Sequence, residues 1–380
     1  MKIGINAQIL SPVSAGVANY TKNLIKGLIE LDSENEYHLF GREEYLREFA
    51  SKNVKLNFTR VLCQKSPLRI LWEQFVLPLR ILKKDLNVFH YPDHTLSLLG
   101  KVCPTVITIH DLAFLRFPEM FNLSRRIYKS FVIKRSVELA DKIITVSEFT
   151  KSEAVKLLRV PEEKIRVIYN GVENSFHGVG DEKRLEEIRN RYGLRGRLIL
   201  FVGTLEPRKN IVRLIKAYNF LRGGHQGWDV TLVIAGAIGW LYDDIFNTVK
   251  SLKLEKEVIF LDYVPREDLV YLYNCSSVVV YPSLYEGFGF PPLEAMACGT
   301  PVVVSNTSSL SEVVGDAGVY VDPYDVVDIA HGIEKALTDE ELRERLIQKG
   351  LERAKSFSWE EMARKTLKVY EEVLEESKLS

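Results

Sequence analysis

"VVVYPSLYEGFGFPPLEAMACGTPVVVS", residues 278–305, holds two runs of three valines separated by a loop and a short helix. Unbroken valine leaves no polar face, so each run reads as a strand buried on both sides, as in parallel sheets covered by helices. Pro291 or Pro292 suits the first turn of the helix between them, with Glu294 placed in that first turn. Gly287 and Gly289 permit loop backbone that other residues resist. The stretch therefore predicts a parallel α/β arrangement with two carboxylates, Glu286 and Glu294, at the loop that joins strand to helix.

The same alternation runs outward from it. "RLILFVG", "VTLVIAG" and "EVIFLDYV" precede it and "GVYV" follows. In the first half "KIGINAQIL", "EYHLF", "KLNFTRVL", "NVFHYP", "TVITIH", "KIITVS" and "KIRVIYNGV" read as strands. Helical patterns lie between them, over 17–31, 68–83, 123–140 and 148–158. Two consecutive sets of about six strands each predict two doubly wound α/β domains. The apolar pattern lapses after "YNGV", which sets domains of 1–172 and 173–358. The closing helix, about 359–380, carries Trp359, Met362, Leu367, Tyr370 and Leu374 on one face. It packs on its own domain or crosses back to the first.

A length of 380 residues exceeds one ordinary core and agrees with two. Apolar residues at 46% and charged residues at 27% exclude extended disorder. No apolar run approaches the roughly 20 residues that span a bilayer. Cys63, Cys103, Cys275 and Cys298 form no CxxC pair and read as reduced, packed thiols of a cytoplasmic protein. The net charge of zero conceals 26 Lys+Arg against 18 Asp+Glu over residues 1–172, balanced by the opposite excess beyond. A basic first half faces something anionic, such as a membrane surface, or is a scattered surface imbalance. "PLRILWEQFVLPLRILKK" and "RRIYKSFVIKRS" sharpen the same choice. Their apolar residues, Leu68, Leu71, Trp72, Phe75, Leu79 and Leu82 in the first, lie on an anionic membrane or face the core with solvated basic edges.

In parallel sheets ligands bind outside the carboxyl ends of the strands, so the residues after each strand carry the chemistry. "FVGTLEPRKNI", residues 201–211, sets Arg208 and Lys209 beside the amides of a helix that starts near Asn210, a good diphosphate site. The ordinary alternative is a solvated basic loop. A carboxylate accepts two hydrogen bonds from a vicinal diol, so one of Glu286 and Glu294 suits a ribose and the other a sugar ring. "TVITIHDLAF" leaves His110 and Asp111 at a strand mouth. "SPVSAGVANY" offers Gly16 for close approach to a ligand, without a GxGxxG or GxxxxGK pattern. His90 and His94 flank Pro92, which opposes the helix a metal pair needs.

These segments together resemble the family-four retaining glycosyltransferases across almost the whole chain. The resemblance rests on Glu286 and Glu294 as an E-x7-E pair, "GTLEPRKN", "IHDLAFLRFPE", "VSEFTKSEAV", "YNGV" and the closing helix. It implies the GT-B fold, two Rossmann-like domains facing across a donor and acceptor cleft, with the closing helix returning to the first. It implies a nucleotide-diphosphate sugar as donor, with no cofactor and no metal. Arg208 and Lys209 would hold the diphosphate, Glu294 the ribose, and Glu286 with Gly287, Phe288 and Gly289 the donor sugar. His110 and Asp111 would sit at the reacting centre, and Gly16 would approach the phosphates. Ala15-Gly16 stands where many relatives carry paired glycines, and Thr204 where many carry an arginine.

"GTLEPRKN" looks most like bacterial mannosyltransferases of surface polysaccharides. That implies GDP-mannose as donor and a glycan or lipid-linked oligosaccharide as acceptor, in the cytoplasm or peripheral on the inner membrane face. Nucleic acid is not an expected partner. A UDP-sugar donor, a sugar-nucleotide epimerase or hydrolase, and a non-catalytic sugar-nucleotide sensor are the alternatives.

Overall fold

The computed structural model describes residues 1–11, 16–59, 67–97, 99–224 and 229–379, so Ala15 and Cys63 lie outside it, as do the side chains of Leu68 and Arg125. Contacts divide the chain into two compact units, Met1–Gly171 with Ser358–Ser380, and Val172–Phe357.

The first unit holds β1 (Lys2–Asn6), β2 (Glu36–Arg42), β3 (Val54–Thr59), β4 (Val88–Tyr91), β5 (Thr105–Ile109), β6 (Lys142–Thr145) and β7 (Ile165–Val167). They form one sheet in the order β3-β2-β1-β4-β5-β6-β7, parallel throughout. The second unit holds β8 (Arg197–Val202), β9 (Val230–Ala235), β10 (Val258–Leu261), β11 (Val278–Tyr281), β12 (Val302–Ser305) and β13 (Gly318–Val321). Their order is β10-β9-β8-β11-β12-β13, again parallel. Each strand falls on a stretch that the sequence marks as one, seven in the first sheet and six in the second. Every residue of β4, β5, β6, β11 and β12 is buried, which is why those stretches lack a polar face.

In both sheets the winding reverses beside the first strand, between β1 and β4 and between β8 and β11. Loops leave in opposite directions there and open a crevice at the carboxyl ends of the strands. The two crevices are where the chemistry gathers.

The closing helix, Trp359–Leu379, belongs to the first unit. Met362, Ala363, Val369, Tyr370 and Val373 share a core with Ile3, Tyr20, Leu24 and Leu28, while Trp359, Leu367 and Leu374 pack at its margin. "YNGV" has a steric role here, because a Cβ on Gly171 would lie 2.2 Å from the backbone nitrogen of Trp359. Tyr370 meets buried His90 at Nδ1 (2.6 Å), and His90 Nε2 meets Thr108 (2.8 Å).

The segment over 67–82 departs from an ordinary amphipathic helix. It runs as Pro67–Leu71, a wide π turn Trp72–Val76, and Leu77–Leu82. Pro78 cannot donate to the carbonyl four residues back and would clash with it. A π turn relieves that clash, and the Gln74 carbonyl takes the Ser97 hydroxyl instead (2.7 Å). The burial is inverted. Glu73 and Gln74 point inward, whereas Leu71, Phe75, Leu79 and Leu82 are 51–64% exposed. The core-facing reading therefore fails for Leu71, Phe75, Leu79 and Leu82, whereas Trp72 packs at the margin of the core that includes Leu77 and Ile81. On the helix Leu123–Leu139, Leu123, Ile127 and Phe131 are also about 60% exposed. Among the described residues no helix is long and apolar enough to cross a membrane.

Burial, with a smaller push from His110, lowers His90 to about 3. The unfolded chain then binds a proton below about 6.5 that the fold refuses, so stability falls with acidity between those two values. Urea titrations at pH 7 and pH 5 should show this loss. His90→Gln should lower stability at pH 7 and flatten the slope.

Candidate active site

Beyond Val202, at the end of β8, the chain passes Gly203 and Thr204 and makes a single 3-10 turn, Pro207–Lys209. Asn210 then takes a left-handed conformation (φ 60°), and the helix Ile211–Gly224 begins one residue after the expected start. The Asn210 amide donates to the carbonyls of Pro282 (2.9 Å) and Pro323 (2.6 Å). Leu284 N–H donates to the Arg208 carbonyl (2.9 Å). These bonds clamp the loop after β8 to the loop after β11, across the reversal of the sheet, and to the loop after β13.

The clamp brings three expected residues into one cluster. Arg208 Nη1 donates to Glu286 Oε2 (2.9 Å) and to the Tyr285 carbonyl (2.7 Å). Its Nε and Nη2 reach Glu206 Oε1 (3.1 and 2.6 Å). Lys209 Nζ donates to Glu286 Oε1 (2.7 Å) and to the Tyr281 hydroxyl, and stands 4.9 Å from the Tyr281 ring centre. Glu206, Lys209 and Glu286 are all buried. Burial opposes the charge of Glu286, but Arg208 and Lys209 outweigh it and hold the carboxyl below its ordinary value. Burial draws Lys209 down, with Glu286 opposing. Two cations thus face two carboxylates in a dry setting, a preorganised seat for an anion that can exchange partners with them.

The Glu286 loop is held from behind. Ser309 Oγ donates to the carbonyls of Glu286 and Phe288 (both 2.9 Å), and Ser308 Oγ accepts from Glu286 N–H (3.1 Å). Phe288 packs edge-on between Phe290 and Phe357. Gly289 has φ 109°, and a Cβ there would meet Leu310 at 2.7 Å. Gly287 has no such conformation, so only one of the two glycines uses its freedom.

The helix runs Phe290–Ala297, which makes Glu294 its fifth residue and not part of the first turn. Complementing the helix dipole does not explain it. Its carboxylate accepts from Arg266 (3.1 Å) and the Tyr273 hydroxyl (2.9 Å), away from the Arg208 cluster. Burial raises its pKa, and those two partners oppose the rise. Arg266 also pairs with Glu173 and lies 5.0 Å from the Phe176 ring centre.

Gly16, His110 and Asp111 belong to the first unit. Gly16 opens the helix Gly16–Leu31 and is exposed. His110 follows β5 directly, and its ring stands edge-on to Tyr20 at 4.8 Å. Its Nε2 lies 2.8 Å from the Pro92 carbonyl. A carbonyl only accepts, so Nε2 carries the proton and Nδ1 is the acceptor nitrogen. Burial lowers the pKa of His110 despite Asp93 and Asp111, which keeps the ring neutral at pH 7. Asp111 accepts from Ala113 N–H (3.1 Å). His90 and His94 do not converge, since His94 pairs with Asp93 (2.7 Å) and stacks on Phe114. Among the described residues no group of three or more His, Cys, Asp or Glu could hold a metal.

Sequence reasoning missed Glu206, Asn210, Arg266, Tyr273, Tyr281 and Ser309. Glu206 was legible as an acid two places from Arg208. The others act on partners 21 to 113 residues away, and no local pattern marks such pairs.

Two doubly wound parallel units of this strand order make up the GT-B fold. Residues 14–176 match Glycosyltransferase Family 4, and residues 184–353 match Glycosyl transferases group 1. The chain is 33% identical over 380 residues to O-antigen chain mannosyltransferase B of Escherichia coli, covering 97% of this chain and 99% of that one. It is 31% identical over 294 residues to the serotype-specific mannosyltransferase WbdA of Escherichia coli, covering 76% of this chain and 36% of the other. Sucrose-phosphate synthase from Thermosynechococcus elongatus superposes with a TM-score of 0.77 at 22% identity over 98% of each chain, a likeness of fold. The chain belongs to the family-four, group 1 retaining glycosyltransferases.

Gly289→Ala should cost about 1–3 kcal/mol, since it forces a side chain into a left-handed conformation and against the Leu310 methyl. Chemical denaturation checks this, and an unchanged midpoint would remove the steric account of the loop.

Proposed function

We propose that the chain moves mannose from GDP-mannose to a glycan or lipid-linked oligosaccharide in surface-polysaccharide synthesis. The observation that carries the donor chemistry is the Arg208–Glu286–Lys209 cluster at the reversal between β8 and β11. Mannose is supported by the mannosyltransferases named above, which are similar over most of this chain.

In this reading the donor's diphosphate takes Arg208 and Lys209 from their carboxylate partners, with Thr204 at the edge of the same turn. Glu294 holds the ribose. Glu286, released in part, turns to the sugar hydroxyls with the backbone of Gly287, Phe288 and Gly289. The bond from the anomeric carbon to the phosphate oxygen breaks, and its electron pair stays on the diphosphate. Arg208 and Lys209 stabilise that growing negative charge more than they stabilise the bound donor, which is what accelerates the step. The acceptor oxygen bonds to the same face of the sugar, and its proton passes to the departing phosphate, so configuration is retained. Neutral His110 offers Nδ1 to a sugar hydroxyl, Asp111 supports its position, and Gly16 lets backbone approach the phosphates. Arg208→Ala or Lys209→Ala should slow transfer by roughly 10²–10³-fold. Turnover at the parent rate in either variant would remove that residue from the mechanism.

Calorimetry with GDP, UDP, GDP-mannose and UDP-sugars tests the donor. Selective binding of GDP and GDP-mannose is expected. Selective binding of UDP would keep the transferase and overturn mannose from GDP-mannose, and product formed without acceptor would favour hydrolysis or epimerisation.

The outward apolar stripes support a place on the inner membrane face. Leu71, Phe75, Leu79 and Leu82 on one segment, and Leu123, Ile127 and Phe131 on another, are exposed. Arg80, Lys83 and Lys84 border the first, and Lys134 and Arg135 lie on the second. Exposed apolar side chains edged by cations suit an anionic lipid surface. The chain should float with vesicles containing anionic lipid and less with neutral ones, and Leu79→Glu with Phe131→Glu should abolish flotation. Equal flotation of the double variant would defeat this placement.

A further inference from the structure

Glu294 is gripped from two ends of one helix, Arg266–Cys275. Arg266 opens that helix, and Tyr273 lies seven places on, two turns along the same face. Arg266 Nη2 donates to Glu294 Oε1 (3.1 Å), and the Tyr273 hydroxyl donates to Oε2 (2.9 Å). A cation in the first helical residue meets the unfavourable end of the helix dipole. The acids that suit that end, Glu267 and Asp268, come directly after it. The helix itself gains nothing from an arginine there, so the reason lies in what its guanidinium joins.

That guanidinium also forks onto a second carboxylate. Arg266 Nε and Nη2 reach the two oxygens of Glu173 at 3.2 and 3.1 Å. Its carbon stands 5.0 Å from the Phe176 ring centre, and Phe176 meets Tyr273 edge-on at 5.8 Å. Glu173 and Phe176 lie among the first residues of the second unit. Their segment is tied to the same helix, since Asn274 accepts from Val179 N–H (2.8 Å) and donates to the His177 carbonyl (3.0 Å). Glu173 and Phe176 thus hold Arg266 in place while it holds Glu294.

A carboxylate has about four acceptor positions. Arg266 and Tyr273 take one on each oxygen of Glu294 and leave one on each, the pattern that a vicinal diol fills. Burial raises the pKa of Glu294, and Arg266 is the charge that opposes the rise. Ionised, the group accepts on both oxygens; protonated, it turns one of them into a donor. Arg266 therefore sets both the charge of Glu294 and the rotation of its plane.

We infer that Arg266, oriented by Glu173, is a positioning residue that makes Glu294 a reader of the ribose diol. It acts through the carboxylate. The inference rests on the proposed seat of the ribose at Glu294 and adds the layer that decides how firmly the diol is held.

Calorimetry on the full chain at pH 7, with GDP, UDP and their 2′,3′-dideoxy forms, tests it. The parent should bind the ribose form of its preferred nucleotide at least about tenfold more tightly than the dideoxy form. Arg266→Met should weaken the ribose form by at least about tenfold and leave the dideoxy form within about twofold. Glu173→Gln should narrow the difference in the same direction, by about threefold. Arg266→Lys keeps the charge without the fork and should retain part of it. In transfer assays Arg266→Met should raise the donor KM by more than it lowers kcat.

A loss shared equally by both forms, or a difference that survives Arg266→Met and Glu173→Gln, overturns the inference and leaves a structural ion pair. Should Arg266→Met fail to fold, Glu173→Gln decides alone. A parent that binds ribose and dideoxy forms alike sinks the ribose seat, and this inference with it, but spares the Arg208–Glu286–Lys209 cluster. A parent that binds no nucleotide overturns the transferase reading itself.

Discussion

Glu286 is a buried carboxylate gripped by Arg208 on one oxygen and Lys209 on the other. Three charges out of water are tolerable only if each stays paired, and removing one partner from such a set typically costs about 3–5 kcal/mol. That constraint dictates much of the second unit. It requires the loops after β8 and β11 to meet, which the strand order permits because β8 and β11 are neighbours although 75 residues lie between the end of one and the start of the other. It also requires the loops to be held still, which Asn210, Ser308 and Ser309 do with uncharged hydrogen bonds. In the proposed function a donor diphosphate would exchange partners with these carboxylates, in a site whose cations are already held in place.

The first unit repeats the topology with different consequences. Its crevice, between β1 and β4, is shaped by a single proline. Pro78 interrupts the helix ladder, the π turn follows, and the turn sends Glu73 and Gln74 inward while Leu71, Phe75, Leu79 and Leu82 go out. One local backbone restriction therefore accounts for both a buried carboxyl and an apolar stripe on the surface. The closing helix makes the unit complete. Its Tyr370 reaches His90 on β4, and Glu372 and Glu376 pair with Arg166 and Lys142 at β7 and β6.

Much of this was legible in the residues themselves. Strands such as "VVVY" and "TVITI" declare double burial without context, because an unbroken apolar run has no other place to go. Arg208, Lys209 and Glu286 were legible as a set, because each follows a strand end where α/β sheets bind ligands. Glu294 was legible as a carboxylate near a helix start, but not as the partner of Arg266 and Tyr273. Its place in the helix was misjudged by a residue or two, since the helix begins at Phe290, ahead of both prolines. The stripe over 68–82 misled for a physical reason, as periodicity shows that apolar residues share a face and says nothing about where the face points.

Sequence alone determined the two parallel α/β units, the strands and the residue types at their carboxyl ends. Those depend on short-range rules, namely the burial of apolar runs, the freedom of glycine and the fixed φ of proline. Tertiary structure alone decided which carboxylate meets which cation, which nitrogen of His110 holds the proton, and which side of the Pro78 segment sees solvent. Those depend on groups brought within 3 Å of one another from 18 to 113 residues away, and on a desolvation that only the finished fold imposes.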